Sequence, residues 1–206
     1  VVQRGEFIRV WGWADASQNG KKVTGEFKGM FAEAIIEDGA WEITFTARLE
    51  ASAELGHTMR IYGDGVSYSF KDVLVGDVYM VIGQSNVAYQ FAAYLQAAST
   101  DKQNYGANMI DESLPIRLHY NTLGEGEAQG YPKRGTTEVC PDVVHNRTWE
   151  RPTNASVGRF TAIGYCFAWN FVQMTDGKVP VGVIEIDGNG RPLGAFMCNE
   201  VATEKG

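Results

Sequence analysis

The chain has 206 residues, 44% hydrophobic, 12% aromatic and 21% charged, the balance of a globular protein with enough apolar mass for a core. Its formal net charge of -7 repels phosphate backbones, and Lys21-Lys22 and Lys133-Arg134 are too short to build a basic groove, which excludes nucleic acid as a partner. The sequence holds no apolar run of the roughly eighteen residues that a membrane span requires.

In the first 70 residues, short alternating runs are separated by turn signals. Residues 6–14, 22–27, 41–45, 58–62 and 66–70 read as strands, broken at Asn19-Gly20, Asp38-Gly39 and Asp64-Gly65. Five or six short strands with glycine turns and no helical signal predict a small antiparallel β-sandwich over residues 1–70, with hairpins at Asn19-Gly20 and Asp64-Gly65. Such a module packs or spaces, or it binds substrate.

The character changes after Phe70. Residues 77–82 form an apolar run that reads as a buried strand, and Gly83-Gln84-Ser85-Asn86 turns the chain at its end. A helix is expected from Val87 through Phe91, Tyr94 and Leu95, then a loop over 101–108 and a strand over 115–120. Residues 121–157 show little periodicity and read as a substrate-facing insert or cap. A helix over 161–174, a buried strand over 179–186 and a loop over 187–192 follow. This order predicts a three-layer α/β/α domain with a parallel sheet over 71–206.

Ser85 is the leading candidate for chemistry. A serine at the C-terminal end of a strand projects into the crevice where α/β enzymes act, and its own N–H can serve an oxyanion. The plainer reading of Ser85 is a helix N-cap. Gly190 lies in a glycine-containing loop after a strand, a second source of an oxyanion N–H, or a turn glycine only. Asn189 carries an amide that such a site can use. A base is not evident: His57 falls in the sandwich, His119 in or beside a strand, His145 in the irregular stretch, and none follows Gly190. No histidine–carboxylate spacing suits a metal, and no dinucleotide fingerprint is present, so neither metal nor cofactor is expected. Trp11, Trp13, Trp41 and Trp149 offer a sugar platform or ordinary core and sheet positions. Cys140, Cys166 and Cys198 allow one disulfide, and their odd number leaves at least one thiol unpaired within the chain.

The segment from Phe70 to Asn86, which contains Asp72-Val73-Leu74, Gly76-Asp77-Val78-Tyr79 and Gly83-Gln84-Ser85-Asn86, resembles the nucleophile region of the sialate O-acetylesterases of the SGNH hydrolase superfamily. Tyr79 and Val87 stand where that family has tryptophan and methionine. Arg159-Phe160-Thr161-Ala162-Ile163-Gly164-Tyr165 and Val179-Pro180-Val181-Gly182-Val183-Ile184 resemble two further blocks of it. In the loop beyond, Gly190 lands on the family's second glycine, while Gly188, Asn189 and Arg191 replace tryptophan, glycine and threonine.

The resemblance implies a serine hydrolase that removes O-acetyl groups from sialic acid or a related sugar. Ser85 would be the nucleophile, the N–H groups of Ser85 and Gly190 the oxyanion donors, and Gln84, Asn86, Asn189 and Arg191 substrate-facing. The family's asparagine oxyanion donor and distal Asp-x-x-His pair are absent from these 206 residues. A second chain or a C-terminal segment is therefore expected to supply them, and this chain to expose an apolar edge and associate tightly. Acetylated xylan or another glycan is the alternative substrate, and a non-catalytic glycan-binding or scaffold protein the alternative class. The resemblance and the start at Val1-Val2 suit a secreted or periplasmic protein, or an excised fragment.

Overall fold

The computed structural model describes residues 1–122 and 148–188, with the side chains of residues 121 and 122 left aside. The chain divides into two compact units, Val1–Val78 with Val172–Gly182, and Tyr79–Phe171 with Val183–Gly206.

The first unit contains two facing antiparallel sheets. Strand β2 (Ile8–Trp13) pairs with β5 (Ala40–Phe45), while β3 (Lys22–Phe27), β4 (Met30–Ile35), β6 (Met59–Gly63) and β7 (Val66–Phe70) form a second sheet in the order β4-β3-β6-β7. Alternation sets their faces: in β5, Ile43 and Phe45 turn inward and are fully buried. Ile8, Val23, Phe27, Ile36, Met59 and Ile61 complete the core, with Phe27 and Phe45 in an edge-to-face contact at 6.5 Å.

The two expected hairpins fare differently. Asp64-Gly65 does join β6 to β7, whose register runs from Met59↔Phe70 to Gly63↔Val66. Asn19-Gly20 does not close a hairpin, because β2 and β3 lie in different sheets. It follows a single 3-10 turn, Ala16–Gln18, and the Asn19 side chain instead accepts the Gly39 N–H at 2.9 Å. A hairpin that the sequence reading missed joins β3 to β4 at Lys28-Gly29, both with positive φ, as a type I′ turn requires.

A third sheet has the order β1-β8-β10-β9, where β1 is Val2–Gln3, β8 Val75–Gly83, β9 Ile116–Thr122 and β10 Val181–Asp187. Strand β1 runs parallel to β8, with Val2 opposite Val75. The N–H of Asp77 reaches the Pro180 carbonyl, and the N–H of Gly188 that of Gly83, so β8 and β10 also run in one direction. The expected parallel pairing is thus present for these strands. Strand β8 is less buried than its apolar run suggested: Met80 is 56% and Ile82 49% exposed.

The helices of the second unit depart from expectation in position. Helix α1 spans Phe91–Ala97, not a run from Val87. Helix α2, Thr100–Ala107, occupies most of the segment expected as loop, and α3, Asn154–Arg159, begins inside the stretch expected to be irregular and ends two residues past it. Thr153 and Ser156 form a reciprocal capping box at the start of α3. Helix α4, Ala162–Met174, matches its expected span, and within this unit its Tyr165 ring meets Phe91 at 5.1 Å while its hydroxyl donates to the Met109 carbonyl at 2.7 Å.

Candidate active site

Ser85 sits on a tight exposed turn directly beyond β8. The Gln84 carbonyl accepts the N–H groups of both Val87 and Ala88 at 2.9 Å, which closes one helix-like turn that goes no further. Helix α1 starts six residues after Ser85 with Gln90 at its N-cap, so Ser85 is not the cap of that helix. The expected helix N-terminus beside Ser85 is likewise absent. Gln84, Ser85 and Asn86 are exposed, whereas Val87 is buried and anchors the turn.

Glycine is required just before this turn. A Cβ on Gly83 would stand 2.7 Å from Cγ2 of Val87, so a side chain there would displace the residue that holds the turn down. The far end of the turn is also fixed. The Ala162 N–H donates to the Tyr89 carbonyl and the Phe91 N–H to the Phe160 carbonyl, each at 2.9 Å. Ser85 is therefore presented by a segment held at both ends.

The second strand end lies next to the first. The N–H of Gly188 donates to the Gly83 carbonyl at 2.8 Å, so the chain leaving β10 starts beside the Ser85 turn. Asn189, Gly190 and Arg191, expected as oxyanion donor and substrate contacts, lie outside the described residues. So do His145, Cys140 and Cys198.

Two histidines are described in other surroundings. His57 lies in the first unit, with its Nε2 2.7 Å from Lys28 Nζ and 3.3 Å from a Glu54 oxygen. His119 is on β9, half-buried, its ring 5.4 Å from that of Trp149 in an edge-to-face contact. Strand β10 stands between β8 and β9, and neighbouring strands lie about 4.8 Å apart, so β9 is roughly 10 Å from the strand that leads to Ser85. Burial raises the Cys166 thiol above its ordinary pKa, which keeps it from being a ready nucleophile. Among the described residues no group of three or more His, Cys, Asp or Glu side chains could hold a metal ion.

Sequence reasoning passed over Glu185. Its carboxyl group, 1% exposed on β10, accepts the Thr161 N–H at 2.8 Å just ahead of α4. Burial pushes its pKa up to about 8, against the lowering effect of the Thr161 N–H, and nearby Asp187 pushes it further up. Glu185 is mostly neutral at pH 7 and ties β10 to the Phe160–Ala162 backbone that holds the Ser85 turn. The signal was present: it is the one charged residue in the apolar run from Val181 to Ile186.

No family model matches this sequence, and no curated protein does. Among solved structures, the chain is similar to the crystal structure of XAC1771, described as a novel carbohydrate acetylesterase from Xanthomonas citri. The identity is 27% and the TM-score 0.73, over 95% of this chain and 40% of that one. The chain is a distant structural homologue of a carbohydrate acetylesterase. It spans about 40% of that esterase's length. No helix among the described residues is long and apolar enough to cross a membrane.

Proposed function

We propose that this chain carries the nucleophile of a glycan acetylesterase with an SGNH-type α/β domain over residues 71–206 behind a β-sandwich over residues 1–70. The observation that supports the reading is the Gly188–Gly83 hydrogen bond, which puts the point where the chain leaves β10 next to the start of the exposed turn bearing Ser85. A nucleophile and an oxyanion donor have to converge on one carbonyl group, and adjacent ends of parallel strands are where they can do so.

In this mechanism Ser85 Oγ attacks the carbonyl carbon of a sugar acetyl ester as a histidine takes its proton. The N–H groups of Ser85 and Gly190 hold the oxyanion. Collapse breaks the bond to the sugar oxygen, which leaves with the proton from the histidine. Water then attacks acetyl-Ser85 and releases acetate. Gln84, Asn86, Asn189 and Arg191 face the sugar. The histidine, its aspartate and a third oxyanion donor, an asparagine, come from polypeptide beyond these 206 residues, either a second chain or a continuation. The half-exposed Met80 and Ile82 on β8 suit a strand that further polypeptide covers. The substrate is an O-acetylated sugar, with sialic acid the class implied by the Gly83-Gln84-Ser85-Asn86 block, and a secreted or periplasmic setting fits it.

The test is acetate release from O-acetylated sialic acid and from acetylated xylan by the full protein, with and without Ser85→Ala. Activity abolished by Ser85→Ala supports the reading, and the preferred substrate names the sugar. Activity that survives Ser85→Ala would overturn it. Glycan binding with a Ser85 unreactive toward a fluorophosphonate would overturn it in favour of a binding protein.

A further inference from the structure

The inner face of the four-stranded sheet in the first unit is only partly covered. Residues directly opposed in an antiparallel pair project to the same face. Tyr68 is opposite Ile61 and Phe70 opposite Met59. Ile61 and Met59 are buried, yet Tyr68 is 64% exposed and Val66 and Phe70 are both more than half exposed. The facing sheet has two strands against four.

A groove of about 380 Å³ opens in this unit, with Trp13, Trp41, Tyr62 and Tyr68 in its wall. Its size and its mainly apolar lining, with four aromatic rings and a few polar groups, are those of a small-ligand site. Trp41 is held in place by the backbone beside it: a Cβ on Gly12 would lie 2.6 Å from the indole, so only glycine lets the ring lie this close.

The polar groups are arranged for hydroxyls rather than for charge. Lys21 is bound to Asp64 at 2.5 Å and Lys22 to Glu33 at 2.9 Å, so both lysines of the lining are already neutralised. Asp15 accepts the Ser17 N–H at 3.0 Å and stays ionised, an acceptor at the groove with Gln18. An anionic ligand would meet the carboxylate of Asp15, with both lysines of the lining already paired. A neutral pyranose with equatorial hydroxyls fits: its apolar C–H face stacks on flat rings, and its hydroxyls bond carboxylates and amides.

We propose that this groove binds a neutral glucan- or xylan-type chain, so that the β-sandwich holds glycan while Ser85 acts from the other unit. The choice of a glycan rests on the esterase reading, with the acetylated xylan alternative and not sialic acid as its substrate; the groove itself does not.

The experiment titrates the full protein with cellohexaose and xylohexaose, followed by calorimetry and tryptophan fluorescence, and repeats it on Trp13→Ala, Tyr68→Ala and Ser85→Ala. Circular dichroism checks each fold. Saturable binding that weakens about tenfold or more in Trp13→Ala and in Tyr68→Ala, but is unchanged in Ser85→Ala, is expected. Four outcomes would overturn it, the first three of which concern binding. Those three are no saturable binding, binding that Trp13→Ala and Tyr68→Ala leave intact, or tighter binding of oligogalacturonate than of either neutral probe. A dimer in sedimentation that Trp13→Ala dissociates would give the groove to a second copy of the chain and overturn it too. Failure here with acetate release intact would leave the Ser85 reading standing.

Discussion

The Gly188 N–H and the Gly83 carbonyl meet at 2.8 Å, which brings the last residue of β8 and the first residue past β10 to the same edge of the sheet. The bond does more than extend a ladder. It ties the end of β10 to the start of the Ser85 turn. The Ser85 turn is then fixed again at its far end by Tyr89 and Phe91, bonded to Ala162 and Phe160.

Gly83→Ala should therefore damage the turn out of proportion to one methyl group. The new Cβ would press on Cγ2 of Val87, a stiff, β-branched and buried side chain. A cost of about 1–3 kcal/mol is expected, with loss of fluorophosphonate labelling at Ser85 in the full protein. Val87→Ala added to Gly83→Ala should recover part of the stability, since it removes the clashing group. Urea denaturation of the four variants of the cycle checks this; strictly additive losses would show that the clash is not the cause.

Glu185 makes stability depend on pH in a defined direction. Below about pH 4.5 the carboxyl is protonated in folded and unfolded chains alike, and no penalty exists. Between about 4.5 and 8 the unfolded chain releases that proton and the folded chain keeps it, so stability falls as pH rises, and above about 8 the penalty is complete. Glu185→Gln keeps an acceptor for the Thr161 N–H and cannot ionise. Its stability relative to the parent should rise through this window, by at most about 1.4 kcal/mol per pH unit and a few kcal/mol in total, and then level off. Thermal melts of both proteins from pH 4 to pH 9 measure the difference; a constant offset would show that Glu185 ionises freely in the fold.

What could be read in the sequence, and what could not, follows from where apolar side chains point. Strand β5 was legible because Ile43 and Phe45 alternate with polar residues and face the core. Strand β4 was not, because its outward positions carry Phe31 and Ile35 and its half-buried ones Ala32 and Ala34, which inverts the usual pattern. Helix α2 is polar on nearly every side, with only Gly106 buried, so no apolar stripe announces it. At the site, Ser85 stood out through its strand-then-turn setting. The short break before α1 did not, since helical spacing continues from Val87 into Phe91 and the break is made by bonds to Phe160 and Ala162, about 70 residues away. Glu185 was passed over because burial is a tertiary property.

The side chain of Tyr165 offers a test of the core of the second unit. Its ring is fully buried against Phe91, and its hydroxyl donates to the Met109 carbonyl at 2.7 Å, near the end of α2. Tyr165→Phe keeps the ring packing and leaves that carbonyl without this donor. A loss of about 1–2 kcal/mol is expected, whereas Tyr165→Ala should cost about 3–5 kcal/mol because it also opens a cavity. Equal losses in the two variants, measured by urea denaturation, would mean that the hydrogen bond and not the ring dominates.

Asp77 should matter more to stability than the exposed ion pairs of the sandwich. It accepts from Arg4 through both oxygens, at 2.8 Å and 3.0 Å, and from Gln3 at 3.2 Å. Its side chain is 13% exposed, so these bonds hold β1 against β8 where water competes weakly. The Lys22–Glu33 pair is more than half exposed at both ends and is screened by solvent. Asp77→Ala is expected to cost about 1–3 kcal/mol, since it removes charge-assisted bonds from Arg4 and the bond from Gln3 together. Glu33→Ala should stay within about 0.5 kcal/mol of the parent. Urea midpoints at low and high salt separate the two cases: the Asp77 loss should persist in salt. Equal effects of the two substitutions would mean that Arg4 finds another partner when Asp77 is removed.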